Sequence, residues 1–151
     1  MIGLIAAASL VLSYNCEVQG PRALNIEGDK ITLTELGLPP EIAKWRFTVD
    51  LRDGRPMMAE VKWPGNPIQS EGKFAALSSG KNVYSFAALG AGPCLLTETM
   101  CASLFTIADQ PDGTAKVLIQ PTALWSDNKN DTRTPFVAIL QGQCSRTSTT
   151  R

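Results

Sequence analysis

The sequence predicts an all-β domain, a small antiparallel barrel or sandwich whose first and last strands pair. Three observations predict it. Short runs alternate apolar and polar residues, Gly, Pro, Asn and Asp separate them, and Cys16 and Cys144 stand near the two ends of the chain. Period-two alternation is what a sheet with one buried face requires, and turn residues between such runs mark strand connections. At 151 residues the chain suits one domain, and its 44% hydrophobic content is that of a globular protein rather than a disordered one.

The elements follow in chain order. Residues 2–12 are an apolar run, read as the core of an export signal cut after Ser13, with Val11 and Ser13 at the small-residue positions. The run is too short to span a bilayer, so no stable membrane span remains after its removal. The competing reading is a buried first strand of a cytosolic protein. Tyr14 and Asn15 are too large for a lipid-attachment signal before Cys16. The folded domain is then 14–144, with 145–151 a disordered tail that lacks any apolar residue.

Within the domain, residues 14–18 form a first strand, and 22–26 pair with 30–34 across Glu27-Gly28-Asp29. Residues 39–44 allow at most one short helical turn, since proline is tolerated at a helix start. The clearest hairpin joins 45–51 to 57–63 through Asp53-Gly54. Trp45, Phe47, Val49 and Leu51 share one face of its first strand, and Met57, Ala59, Val61 and Trp63 one face of its second. Residues 73–77 and 82–88 form the next pair, with Gly80-Lys81 at the turn and the glycine there for its positive φ. Residues 103–108 and 114–120 are joined through Gln110-Pro111-Asp112-Gly113. The polar stretch 125–134 reads as a mobile loop, and residues 136–144 as the last strand.

Four cysteines allow three pairings. Local Cys94–Cys101 plus terminal Cys16–Cys144 is the simplest. The chain-entropy model gives roughly 2.5 kcal/mol for the short loop and roughly 5 for the long one. The six-residue interval between Cys94 and Cys101 suits neither a paired-cysteine zinc motif nor a thioredoxin-like centre. Disulfides place the chain in an oxidising compartment, periplasmic or extracellular.

The chemistry is bounded by what is missing. With no histidine there is no serine triad, no imidazole base and no ordinary zinc site. Lys+Arg and Asp+Glu both number 14, so nothing steers the chain to nucleic acid or an anionic membrane. No phosphate-binding loop occurs. Residues 127–131 resemble a calcium loop, but Lys129 takes a ligand position, Thr132 replaces the required glycine and Ala138 the closing glutamate. Asn130-Asp131-Thr132 matches a glycosylation acceptor. Asp50, Asp53 and Glu98 face solvent in this reading, so no carboxylate pair is set for acid–base work. Trp63 and Trp125 fall at strand ends and, with Tyr84, are the candidates for a ligand mouth. No catalytic residue and no cofactor is indicated.

Tyr14-Asn15-Cys16, Ser79-Gly80 followed by Tyr84, and Cys144 resemble scattered positions of the periplasmic inhibitors of c-type lysozyme, small β-barrels with a Ser-Gly-x-x-Tyr element. Ser79-Gly80-Lys81-Asn82-Val83-Tyr84 is one residue longer than that element, and the family's later Trp-Lys-Gly element has no counterpart. The likeness implies a small barrel, and family membership is not inferred from it. The functional expectation is an exported, non-catalytic binding module for an envelope protein, a peptide or a small apolar ligand. A structural role in the envelope without a ligand pocket is the alternative, and a histidine-free carboxylate hydrolase the third.

Overall fold

The computed structural model describes residues 9–27, 29–35, 37, 40, 43–62, 71–90, 101–127 and 132–150, with backbone alone at 25–27, 71–75, 77–79, 88–90, 101, 122–127 and 132–136. Among these lie the strands β1 (Ser9–Glu27), β2 (Lys30–Glu35), β3 (Lys44–Arg52), β4 (Arg55–Lys62), β5 (Glu71–Gly80), β6 (Val83–Gly90), β7 (Cys101–Asp109), β8 (Thr114–Asp127) and β9 (Thr132–Thr150). Every pairing is antiparallel. From β3 to β9 each strand pairs with the next, and β1 joins β3 to β9, so eight strands form a ring. β2 stands outside that ring. It takes over the edge of β1 that β3 leaves, from Arg22↔Glu35 to Glu27↔Lys30. Ala43 N–H donates to the Pro40 carbonyl at 3.3 Å, the one described bond of the expected helical turn.

Alternation explains the core. Trp45, Phe47, Val49 and Leu51 on β3 are all buried, as expected, and so are Ala59 and Val61 on β4. Phe86 and Phe105 are register partners on β6 and β7, with ring centroids 5.4 Å apart, and Phe47 reaches Phe105 from across the barrel at 5.9 Å. Rings at such distances add about 0.5–1.5 kcal/mol per pair beyond the area they bury. An eight-stranded ring has an interior narrow enough for side chains to fill, and here aromatic residues fill it.

The seam between β1 and β9 carries the disulfide. Cys16 and Cys144 lie directly opposite one another, 4.0 Å apart at Cα, and both are 4% exposed. The expected terminal bridge is therefore formed across 128 residues of chain. Cys94 and the Cys101 side chain, and with them the second expected bridge, lie outside the described residues.

Five expectations change. The tail 145–150 is strand, paired to Leu10–Asn15 of β1. Residues 125–127 and 132–134 continue the β8–β9 ladder through Trp125↔Thr134 and Asp127↔Thr132 instead of forming a loop. Backbone pairing needs no apolar side chains, so neither segment shows a hydrophobic signature. Met57 is 53% exposed because the register slips between Asp50↔Met58 and Leu51↔Pro56, leaving Met57 as the extra residue of a bulge. At the β5–β6 turn Asn82, not Gly80, carries the positive φ of 63°. Finally, residues 9–13 of the run read as a signal belong to β1, where Val11 and Leu12 are buried between β3 and β9.

Phe47 is fully buried, so Phe47→Ala is expected to cost about 3–5 kcal/mol in equilibrium denaturation. A loss below about 1 kcal/mol would contradict the packed interior. Non-reducing peptide mapping is expected to recover the Cys16 and Cys144 fragments as one linked species, and Cys16→Ser with Cys144→Ser is expected to lower stability by about 2–5 kcal/mol.

Candidate functional site: an outer sheet face above a buried ion pair

Residues that point away from the barrel on β1, β9, β8 and β7 form two parallel cross-strand rows. One runs Gln19–Gln141–Leu118–Thr106, and the other Glu17–Gln143–Lys116–Ala108. The first continues to Ser85, whose hydroxyl lies 3.1 Å from that of Thr106. The rows line a depression of about 580 Å³. A second depression of about 410 Å³ adjoins it, sharing Glu17, Gln19 and Gln141 and reaching Arg22, Glu35 and Ile139.

Gly142 sits between the rows. A Cβ there would lie 2.6 Å from the Glu17 carbonyl oxygen and 3.1 Å from the Val117 side chain. The missing side chain lets β9 press against β1, one reason for a glycine inside a strand. The face offers three amides, a carboxylate, an ammonium and a hydroxyl around the half-exposed Leu118. Such groups hydrogen-bond peptide amides and polar side chains. Among the described residues no three Cys, Asp or Glu side chains group as a metal site.

Beneath this face polar groups enter the interior near the end of β7. The inner wall reads Trp45–Cys16–Cys144–Ala115–Asp109 across five strands, and Tyr14 faces Arg146 one row further on. Ala115 is small, which leaves Arg146 room to reach Asp109. The guanidinium Nη1 donates to Asp109 Oδ2. The Asp109 side chain is 2% exposed and that of Arg146 32%, so the carboxylate is held inside while its partner touches water. Among the described residues, Asp109 Oδ1 and the Tyr14 hydroxyl are buried without a hydrogen-bond partner.

Burial, and then the Asp109 charge, push the Tyr14 hydroxyl far above the usual tyrosine range. The same causes, in the same order, raise Tyr84. The Asp109 carboxylate, by hydrogen bond and charge, raises Arg146 further.

The sequence-predicted site residues are not brought together in what is described. Tyr84 is 7% exposed, so it offers a ligand little surface. Trp63 and the Trp125 side chain lie outside the described residues. Sequence reasoning missed Asp109–Arg146 because Arg146 falls in the expected tail. The grouping of Gln19, Gln141 and Gln143 was detectable only once β1 and β9 were placed in register. Asp50, expected to face solvent, is half-buried, and Asp53 is exposed.

The fold and face together define the class: a closed antiparallel barrel with a disulfide across its seam. No protein-family model matches the chain, and no curated protein matches it.

Arg146→Gln strands a buried carboxylate and is expected to cost about 3 kcal/mol, whereas Asp109→Asn leaves a cation that water can reach and is expected to cost about 1 kcal/mol. Equilibrium unfolding of both variants tests that order. The folded state holds Tyr14 and Tyr84 protonated, while the unfolded chain ionises them from pH about 10. Above that pH the unfolded state binds fewer protons, so stability is expected to fall as pH rises. Tyr14→Phe is expected to flatten the fall, and an unchanged slope would remove Tyr14 from this role.

Proposed function

We propose that the protein is an exported binding module that holds an envelope protein or peptide against its outer face without catalysis. The observation that carries this reading is the contrast between the two surfaces of the sheet. The described interior is packed with Phe47, Phe86 and Phe105, which favours an outside site over an apolar ligand held inside. The exterior presents the amide-lined depression of Gln19, Gln141 and Gln143. Amides recognise extended peptide backbone well because each is both donor and acceptor. The buried Cys16–Cys144 bridge fits an oxidising compartment and supports a periplasmic or extracellular location.

Export must respect β1. Cleavage after Ser13 would remove Leu10–Ser13 from between β3 and β9 and leave the end of β9 without a partner. The processing point compatible with the strand is at or before Ser9. Mass spectrometry of the native protein is expected to find a first residue no later than Ser9, and a chain beginning at Tyr14 would contradict this.

The binding reading is tested by capture from an envelope extract with the wild type and with Gln141→Arg/Gln143→Arg. Both glutamines are surface residues, so the unfolding midpoint is expected to stay constant while capture falls at least about tenfold. Equal capture by the two proteins would refute the outer face as the site.

A further inference from the structure

We propose that β2 is a self-association edge, and that two copies of the chain pair antiparallel through it, Ile31 of each opposite Leu33 of the other. β2 ends the strand order, so among the described residues no strand pairs with its outer side. Its six residues are all exposed, with Ile31 at 65% and Leu33 at 58%, the two most exposed large apolar residues described. A strand of this composition, without proline or an inward charge, is a template for a further strand.

The hairpin geometry narrows the registers to those that set Ile31, Leu33 and Glu35 against one another. Glu27 and Lys30 are partners separated by two residues, and residues flanking such a loop exchange hydrogen bonds with each other. Counting on, Lys30, Thr32 and Thr34 direct their backbone groups to β1, and Ile31, Leu33 and Glu35 direct theirs to the open edge. Antiparallel pairing of two such edges requires outward-directed residues to meet. Lys30 opposite Glu35, the register that charge alone would choose, sets an inward-directed residue against an outward-directed one and is excluded. Ile31 opposite Leu33 satisfies the backbone, with a two-fold axis passing between the two copies of Thr32.

The side chains agree with that register. Leu33 is the partner of Leu24, which is the partner of Val137, and Ile31 is the partner of Ile26. In the dimer each row runs Val137–Leu24–Leu33 and continues into Ile31 of the second copy. The apolar rows join into one face, which is what self-complementarity requires of a two-fold interface. Arg22 already neutralises Glu35 at 2.9 Å, so Asp29 of the second copy meets a paired carboxylate at the end of the row. A six-residue edge falls short of the about 1,200 Å² that a stable interface buries, so the association is weak and reversible.

Sedimentation velocity from about 5 µM to about 500 µM is expected to show a monomer giving way to a dimer. Leu33→Lys is expected to shift the midpoint at least about tenfold upward, with Ile31→Lys as a second variant should the first misfold. Thr32→Cys is expected to form a disulfide-linked dimer under mild oxidation, because directly opposite Cα atoms outside the hydrogen-bonded pairs lie about 4.5 Å apart. A monomer at every concentration, a dimer indifferent to both lysine variants, or a dimer that Thr32→Cys does not cross-link would each overturn the proposal.

Discussion

The rest of the structure depends on the closure of β1 against β9. These are the ends of the chain, and their pairing turns a meander into a ring. Three features act at this seam. The Cys16–Cys144 bridge joins opposite residues and limits how far the unfolded chain can separate its ends. Gly142 lets the two backbones approach where any side chain would collide. Arg146, just beyond the last β8 partner of β9, crosses to Asp109 and ties β9 to β7. Removing one of them weakens the same contact that the other two maintain, so their contributions are expected to be coupled rather than additive.

Much of the fold was legible because burial leaves a period in the sequence. The β3 face of Trp45, Phe47, Val49 and Leu51 is an unbroken alternation, its partner strand follows from pattern and turn residues, and the terminal pairing was suggested by Cys16 and Cys144 standing near the two ends. What was illegible lacks that period. Residues 146–150 are polar and strand-forming at once, held by hydrogen bonds to β1 that no side chain announces. Met57 keeps the alternation of its strand on paper, yet a one-residue bulge turns it outward. β1 was read as separate segments because the register breaks between Gln19 and Arg22, where Gly20 takes a φ of 105°.

The candidate site was less legible than the fold for a related reason. A binding face on a barrel exterior is assembled from residues far apart in sequence, each unremarkable in its own strand. Gln19, Gln141, Leu118 and Thr106 become neighbours only through three separate strand registers. Burial marks a core residue in its own sequence context, but exposure marks nothing. The buried ion pair shows the opposite case. Asp109 ends a strong strand beside the Gln110-Pro111-Asp112-Gly113 turn and has no mark in its sequence context, although its side chain is only 2% exposed.

Closure also decides where interaction can occur. A ring has no edges, so β1 and β3–β9 satisfy one another's backbone groups and leave only their outward side chains to a partner. β2 is excluded from the ring by geometry. β9 occupies one edge of β1, β3 the first part of the other, and β2 pairs with what remains. A molecule built this way offers two kinds of surface. One is the outer face, where the recognition proposed above would work through side chains such as Gln141 and Gln143. The other is β2, the one strand among those described whose outer edge is unpaired, where recognition would work through the backbone. They adjoin one another, since Arg22 and Glu35 border the second depression and begin the β1–β2 ladder. Under the two proposals made above, a ligand seated against Gln141 and a strand added to β2 would both border the Arg22–Glu35 pair.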